Sequence, residues 1–495
     1  MASQAAQHVS LDSAEVLAPS QPAAKKFPLT TLTAMVVGSM VGAGIFSLPR
    51  TFAAATGPFG ALIAWSIAAG GMYMLVRVFQ ALAERKPALD AGVYAYAKEG
   101  FGHYAGFLSA FGYWSASCIG NVSYWVLIKS TLGAFFPIFG DGNTPQAILA
   151  ASVGIWVFHF LILRGVQQAA AINKIVTIAK IVPILVFIVV LAGAARVDLF
   201  TASFWGGEGL DYKSLFDQVR ATMLVTVFVF LGVEGASVYS RYAKKRSHVG
   251  IATILGFFSV TALMVLVTLL PYAVLERTAI AEMRQPSMAA VLEAVVGPWG
   301  AIFVSAGLII SVLGAYLAWS LICAEVLFAA AKTRDMPKVF ARENKNKVPA
   351  NALWLSNIIV QLLVISTMWS QDAFTLMLNM TSVMSLVPYL LVAAYGVLIA
   401  KRGETYEQQS GGIRRRDLIV GGIAVLYTAF MIMAGGMRYL LLSAVLYAPG
   451  TALYFWARRE QGAKPFTAVE RAVFVVAVFG FVAGVYALAS GGIEI

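Results

Sequence analysis

Three glycines lie close together inside a hydrophobic segment that is long enough to cross a bilayer. They are Gly38, Gly42 and Gly44, in the sequence Gly-Ser-Met-Val-Gly-Ala-Gly-Ile-Phe. Glycine in a helix interior costs about 1 kcal/mol relative to alanine, and in lipid every freed backbone group needs a partner. The pattern therefore predicts a break in the helix, where unpaired backbone N–H and C=O groups face a polar ligand.

A second interruption is predicted in the sixth hydrophobic segment, in the sequence Phe-Leu-Gly-Val-Glu-Gly-Ala from Phe230 to Ala236. It contains Gly232, Gly235 and the carboxylate of Glu234. Two interrupted segments, one in each half of a chain, are typical of secondary transporters that bind substrate between them. Close helix packing through small residues is the alternative interpretation of these glycines.

The composition indicates a membrane protein. Hydrophobic residues make up 59% of the chain and charged residues 12%, and the mean hydropathy is +0.78. Soluble domains contain about 25% charged residues. The two cysteines, Cys118 and Cys323, both lie in hydrophobic segments. We interpret them as small core residues, because their spacing fits neither a disulfide framework nor a metal site.

About thirteen segments have the length and apolarity of membrane spans. They lie near 32–56, 58–82, 104–136, 146–163, 173–195, 216–240, 249–273, 299–331, 352–370, 374–400, 417–434, 438–457 and 467–490. The last three could include one interfacial helix, so the prediction is 12 or 13 spans. Residues 1–26 are polar and rich in Gln, Ser and Ala, which predicts a disordered tail; they lack the pattern of a cleavable signal peptide.

Basic residues concentrate in alternate connections between these segments. They are Arg85, Lys86, Lys98, Arg164, Arg241, Lys244, Lys245 and Arg246, then those at 332–347 and 401–416, and Arg458, Arg459 and Lys464. The positive-inside rule places these connections, and the N-terminus, in the cytoplasm. The net charge of +12 is thereby explained as a topology signal, so no nucleic-acid partner is expected.

The interrupted segments are the first and the sixth. An offset of five segments turns the second unit upside down relative to the first, which predicts an inverted repeat. We therefore expect an all-α integral membrane protein with a five-helix repeat at 27–197, an inverted five-helix repeat at 198–401 and accessory helices at 402–495.

Several motifs resemble the amino acid–polyamine–organocation superfamily. They include the glycine-rich first segment with Leu48 and Pro49 after it, Gly-Tyr-Trp at 112–114, Phe-x-Gly-x-Glu-x-Ala at 230–236, and Leu-Val-Pro-Tyr at 386–389. Within it the chain resembles the basic amino acid/polyamine antiporters, and among these the arginine/ornithine branch. Features of that branch are the sequence 85–100, Phe-Gly-Asp-Gly-Asn-Thr at 139–144, Gly-Pro-Trp-Gly at 297–300 and Phe-Ala-Arg-Glu-Asn at 340–344.

The resemblance implies an inner-membrane exchanger of amino acids. The amides of Gly42, Ala43 and Gly44 would bind the substrate carboxylate, because a helix N-terminus favours anions. Ala43 stands where the family often has Ser or Gly, so no hydroxyl is available there. Carbonyls freed near residues 40–41 and 228–231, including that of Leu231, would meet the α-ammonium group.

For the side-chain end of the substrate, the family pattern points to residues of four segments. They are Tyr113, Ala116, Ser117, Asn121, Tyr124, Phe228, Trp319 and Thr381. Aromatic faces stabilise a cation by about 0.5–2 kcal/mol each. Phe228 replaces the Trp of arginine/agmatine relatives, which predicts weaker stacking, whereas Trp319 matches them. Any one of these aromatic residues taken alone could instead belong to the core or face lipid.

Charged residues within the segments are functional candidates, because they are costly at depth. Glu234 is predicted to couple the second break to pH or substrate charge. Lys180 follows Asn173 by seven residues, as in sodium-independent relatives, and would hold carbonyls near residues 37–40 in place of a sodium ion. Snorkelling to an interface is the alternative for Lys180. Arg220 is a further candidate, and Glu325 either takes part in gating or pairs with a neighbouring lysine.

The four histidines are scattered, and Gly42–Gly44 follows no strand, so neither a metal site nor a dinucleotide fingerprint is predicted. We expect no cofactor, no enzymatic reaction, amino acid substrates and a lipid bilayer as partners; a homodimer is one assembly consistent with such a chain. Three function classes remain: exchange of a basic amino acid, proton-coupled amino acid symport with the same fold, and a channel or receptor.

Overall fold

A computed structural model describes residues 28–493, apart from positions 88, 90–92, 166–168, 208, 210, 235–245, 371 and 407–410. Several sequence features fall outside this part of the chain. They are the tail at 1–26, the end of the second break at Gly235 and Ala236, the basic residues Arg241, Lys244 and Lys245, and the side chain of Asn173.

Eighteen α-helices account for most of the described residues, and no strand occurs among them. They are α1 Leu29–Met40, α2 Leu48–Ala55, α3 Pro58–Arg85, α4 Val93–Phe101, α5 His103–Phe135, α6 Pro145–Leu163, α7 Ala169–Gly193, α8 Val197–Ala202, α9 Tyr212–Phe230, α10 Arg246–Leu269, α11 Arg277–Glu282, α12 Ser287–Val296, α13 Pro298–Lys332, α14 Ala350–Ser366, α15 Ala373–Arg402, α16 Gly411–Ala434, α17 Gly436–Glu460 and α18 Ala468–Ala489.

Each predicted membrane segment coincides with helical structure. Ten helices of the described chain are long and apolar enough to span a membrane, and α1 with α2 makes an eleventh as a pair bent by 51°. The predicted third and sixth segments are helices α5 and α9 but are not among these eleven. Helix α5 is buried along most of its length, so protein rather than lipid surrounds its polar side chains. The prediction of an all-α membrane fold is confirmed.

Local sequence signals set several helix ends. Proline occupies the first position of α3 and α13, where its missing N–H costs nothing. Asp372 caps α15 by accepting from the Thr375 N–H at 3.1 Å. The same helix ends before Gly403, which has a φ of +71° and so terminates the helix in the left-handed conformation.

Packing between the helices repeats with an offset of five membrane segments. Helix α1 packs on α10, and five segments later α9 packs on α3. In the same way α7 packs on α13, and α15 packs on α5. Such paired contacts are those expected of two repeated units, and the repeat boundaries at 27–197 and 198–401 stay a prediction.

The connections contain short helices that the sequence analysis did not predict. Helix α4 lies between the second and third segments, and α8, α11 and α12 lie in later connections. They contain six to ten residues each, which is too short for the apolar run that identifies a membrane span.

Candidate functional site

The first break has the form that the glycines predicted. Helix α1 ends at Met40, Val41 has an extended backbone, and a 3₁₀ turn runs over Ala43–Ser47 before α2 begins. The first N–H groups of a new helical turn have no partner within that turn. The break therefore presents amides at residues 43 and 44 beside the carbonyls at the end of α1.

Gly42 and Gly44 are small for different reasons. A Cβ atom on Gly44 would lie 2.7 Å from Val229 Cγ1 and 2.8 Å from Phe228 Cδ1, so the first break packs directly against α9. A Cβ atom on Gly42 would meet only the Tyr124 hydroxyl, at 3.8 Å. Gly44 is thus required for packing, whereas Gly42 leaves open space beside the backbone.

The second break touches the first one. Helix α9 ends at Phe230, and Gly232 follows with a φ of +99°, a conformation that favours glycine. A Cβ atom on Gly232 would lie 2.4 Å from the Ser39 carbonyl oxygen. Glycine is therefore needed at position 232 for two reasons: the backbone conformation favours it, and any side chain would clash with the first break.

Glu234 is buried at the second break. Its carboxylate accepts hydrogen bonds from the Tyr113 hydroxyl of α5, from the Tyr389 hydroxyl of α15 at 2.7 Å, and from the Gly232 N–H at 3.1 Å. The carboxylate thus joins the break to two other helices. Tyr389 was not predicted as a site residue, although its motif contributed to the family resemblance.

Lys180 lies at the first break. Its ammonium group, on α7, donates to the carbonyl oxygens of Gly38 at 2.7 Å and Val41 at 2.8 Å. The side chain is buried, with 3% of its surface exposed, which argues against snorkelling to an interface. A cation therefore holds the carbonyls that the break in α1 releases.

A cavity lies between the two breaks and helices α5, α13 and α15. All the predicted substrate-binding residues except Asn121 line it, and so does Tyr113; they are Gly42, Ala43, Gly44, Ala116, Ser117, Tyr124, Phe228, Leu231, Trp319 and Thr381. Met40 and Val229, from the two stretches predicted to supply carbonyls, also line it. Lining residues that the sequence analysis missed are Ser39, Gly120 and Ser385. Helical spacing could have indicated two of them, because Gly120 follows Ala116 and Ser385 follows Thr381 by one turn.

The four serine and threonine hydroxyl groups that line the cavity are available as acceptors. Ser39, Ser117, Thr381 and Ser385 each donate to a carbonyl of the preceding turn of their own helix, at 2.7–2.8 Å. Their oxygen lone pairs remain to accept hydrogen bonds from a ligand. None of the lining side chains carries a formal charge.

Aromatic rings complete the wall. Tyr113 and Trp319 have ring centroids 6.4 Å apart, and Tyr124 and Phe228 lie on other sides of the cavity. Ring faces and acceptor oxygens both favour a cation. The amides at residues 43 and 44 favour an anion at one end. A zwitterion with a further cationic group fits this arrangement.

Three of the candidate residues lie outside the cavity. Asn121 is buried behind the cavity wall, where its Nδ2 lies 3.5 Å from Ser320 Oγ. Glu325 is exposed on α13, near the charges of Lys332 and Glu343. Arg220 donates to the Ala434 carbonyl oxygen and does not line the cavity. No group of three or more metal-binding side chains occurs in the described part of the chain.

The chain is similar in sequence to known amino acid transporters. The family model for amino acid permeases matches residues 27–437. The arginine/ornithine antiporter of Pseudomonas aeruginosa is 51% identical over 478 residues, covering 95% of this chain and 99% of that protein. The L-lysine transport protein of Corynebacterium glutamicum is 40% identical, covering 94% and 96%. The arginine/agmatine antiporter of Chlamydia pneumoniae is 39% identical, covering 91% and 94%.

Proposed function

Because the chain belongs to the amino acid permease family, we propose that it exchanges a basic amino acid for a related amino acid or amine, with arginine and ornithine as the exchanged pair. The names of the relatives, two antiporters of arginine and one lysine transporter, support this substrate class. The protein moves its substrates by alternating access and performs no chemical reaction on them.

One observation carries the proposal: four hydroxyl oxygens in the cavity are available only as acceptors, and aromatic rings stand beside them. A side-chain guanidinium or ammonium group supplies the N–H donors that these oxygens lack. A neutral aliphatic side chain would desolvate these oxygens and leave their remaining lone pairs without a donor, which is unfavourable.

In the proposed binding mode, the α-carboxylate meets the amides of Gly42, Ala43 and Gly44. The side-chain cation lies toward Tyr124 and Trp319, with Thr381 and Ser117 as acceptors. Tyr113, Glu234 and Lys180 hold the two breaks and control their movement. Glu325 lies on the exposed side of α13, so its proposed role in gating would act through its charge from outside the cavity.

The proposed topology places the basic connections and the N-terminus in the cytoplasm, in the inner membrane of a bacterium. The unit at 198–401 is inverted relative to the unit at 27–197, and 402–495 supplies accessory helices. A homodimer stays a prediction, to be tested by the mass of the detergent-solubilised protein.

Counterflow in proteoliposomes tests the exchange. Labelled arginine should accumulate in vesicles loaded with ornithine, and it should not accumulate in empty vesicles under an inward proton gradient. Accumulation in empty vesicles would support the proton-coupled symporter instead. Unlabelled ornithine, lysine and agmatine should then compete in a graded order, whereas histidine and neutral amino acids should compete weakly; strong competition by leucine would contradict the substrate class.

A further inference from the structure

Basic residues meet at one end of helices α6 and α14. Both helices are long and apolar enough to span a membrane, and they pack against each other. Arg164 directly follows α6, and Lys345 and Lys347 lie just before α14. All three residues are exposed, and we call them the basic cluster. Because both spans end here, the basic cluster lies at the level of the lipid headgroups.

The connection that carries the two lysines is fixed to the end of α6. Asn344 Nδ2 and Asn346 Nδ2 both donate to the Leu163 carbonyl oxygen, at 2.8 and 2.9 Å. Asn344 Oδ1 in turn accepts from the N–H groups of Asn346 and Val348, at 2.9 and 3.1 Å. The two carboxamides therefore cap α6 and hold the connection against it in one conformation.

This cap brings the three cations together. Lys345 and Lys347 flank Asn346, and Arg164 follows the capped Leu163. Within the described part of the chain, no ion pair joins any of the three to a carboxylate. Like charges held close together repel one another, so an anion that binds all three would relieve this repulsion.

Basic residues of other connections have acidic partners. Arg85 pairs with Asp417 at 3.1 Å, and Lys98 pairs with the buried Asp335 at 2.7 Å. Glu343 is the acidic residue nearest to the basic cluster in sequence, and it is exposed. Even when its charge is counted, the cluster keeps a net positive charge. The cluster is therefore complementary to an anion from outside the chain.

Exposed apolar side chains continue the surface along the same two helices. Phe160 lies one turn before Arg164 on α6, and Trp354 lies near the start of α14; both are exposed. Their ring centroids are 6.3 Å apart, so the two rings form one surface across the helices. Val157 and Ile358 extend it further from the basic cluster.

We propose that the basic cluster and this apolar surface bind an anionic phospholipid. The guanidinium and ammonium groups donate to the phosphate oxygens of the headgroup, and the acyl chains lie along Phe160 and Trp354. A soluble anion would meet only the charges, whereas a phospholipid also covers the aromatic rings below them. A headgroup without a cation of its own is favoured, because it leaves the three positive charges balanced.

Vesicles of phosphatidylglycerol and phosphatidylcholine test the site through the fluorescence of Trp354. Bromine atoms on the acyl chains quench a tryptophan that they contact, so brominating one lipid at a time shows which lipid lies there. The part of the quenching that is lost in Trp354→Phe belongs to this site. We expect it to show a preference for phosphatidylglycerol of at least about fivefold. Equal affinity for the two lipids would overturn the proposal.

Charge variants test the basic cluster. Lys345→Gln/Lys347→Gln leaves the apolar surface intact and should reduce the preference to within about twofold of equal affinity. Lys345→Arg/Lys347→Arg keeps both charges and should keep the preference, because arginine also binds phosphate. An unchanged preference in the glutamine variant would contradict the role of the cluster.

Lys338→Gln/Arg459→Gln is the matched control. It removes two exposed charges at the end of α17, beside Glu460, whose Oε2 accepts from the Lys338 N–H at 2.9 Å. This variant should keep the wild-type preference at Trp354. Equal losses in the two glutamine variants would show a general attraction to an anionic bilayer and would overturn the specific site.

Inorganic phosphate distinguishes a lipid headgroup from a soluble anion. Phosphate should displace phosphatidylglycerol no better than sodium chloride of the same ionic strength, which screens the charges equally. Displacement by phosphate alone would overturn the proposal. If Trp354→Phe does not fold, native mass spectrometry replaces the quenching: the wild type should retain more phosphatidylglycerol than Lys345→Gln/Lys347→Gln, and equal retention would contradict the site. These measurements involve no transport, so they are independent of the exchanged substrates.

Discussion

The break after α1 frees carbonyl oxygens, whereas the break after α9 frees an amide N–H. At the first break, the ammonium group of Lys180 donates hydrogen bonds to the freed carbonyl oxygens of Gly38 and Val41. At the second, the carboxylate of Glu234 accepts from the Gly232 N–H. The charges are opposite because a helix C-terminus attracts a cation and unpaired N–H groups attract an anion.

The two breaks also differ in how they are attached. Lys180 comes from another helix, α7, and reaches two carbonyls directly. Glu234 belongs to the break itself and is held by tyrosine hydroxyls of α5 and α15. The first break therefore depends on one side chain, whereas the second can lose its partners one at a time. We therefore expect the second break to move during transport and the first to stay fixed.

Removing the cation at the first break should have the largest effect. In Lys180→Ala two buried carbonyls lose their donor, at about 1–3 kcal/mol each, which corresponds to a loss of exchange of about thirtyfold or more. Initial rates of arginine exchange in proteoliposomes measure it, and size-exclusion chromatography shows whether the variant is folded.

Two controls accompany this measurement. Lys129 is a buried lysine whose ammonium group donates to Thr367 Oγ1 and not to either break, so Lys129→Ala should keep more activity than Lys180→Ala. Replacing sodium by choline should leave wild-type exchange unchanged. Exchange that stops in choline would refute the role of Lys180 as a substitute for sodium.

Substitutions where the first break packs against α9 should impair substrate binding nearly as strongly. Gly44→Val would place atoms against Val229 and Phe228, where even a Cβ atom comes within 2.7–2.8 Å. It should abolish arginine binding to the purified protein, measured by calorimetry. Gly42→Ala adds a methyl group in open space 3.8 Å from the Tyr124 hydroxyl, so it should weaken binding by only about threefold to tenfold, since it blocks part of the approach to the amides. Unchanged affinity in Gly44→Val would show that the site lies elsewhere.

The sequence could predict the two breaks but not which distant residues contact them. Glycine clusters in apolar segments are a local signal, and so is the spacing of Lys180 after Asn173. The contact of Gly232 with the Ser39 carbonyl joins residues almost two hundred positions apart, and no periodicity encodes it. The hydrogen bond from the Tyr389 hydroxyl to Glu234 likewise joins distant residues that no sequence pattern connects. Such contacts depend on how segments pack, which composition and spacing leave open.

Position along a helix was also easier to predict than direction around it. Asn121 lies on α5 at the level of the cavity, next to Gly120, but its side chain points toward Ser320 and does not line the cavity. The fold class and the approximate extent of most membrane segments follow from apolar length, but α5 and α9 are not apolar enough to be identified in this way. The short helices α4, α8, α11 and α12 do not follow from it either, because they contain no long apolar run.

Neutralising the anion at the second break should have an intermediate effect. Glu234→Gln keeps the shape, but its NH₂ group cannot accept a hydrogen bond. With that group directed at the Tyr113 hydroxyl, the amide oxygen still accepts from the Tyr389 hydroxyl and the Gly232 N–H, so one of the three hydrogen bonds is lost. Turnover should fall by about tenfold, the loss of one hydrogen bond to a charged group, and the pH dependence of exchange should flatten. Tyr389→Phe, which removes one donor and keeps the carboxylate, should reduce turnover less. A normal rate–pH curve in Glu234→Gln would count against the moving second break.

Glu325 sharpens the comparison because it is the other carboxylate predicted to control gating. It lies on the exposed side of α13, where Lys332 and Glu343 act on it electrostatically, and it contacts neither break nor the cavity. Exposed charge pairs contribute about 0–1 kcal/mol, so Glu325→Gln should change exchange by less than about threefold. The same rate assay at several pH values measures this. A loss as large as that of Glu234→Gln would mean that control of the second break extends through α13, and the division between one fixed and one moving break would have to be revised.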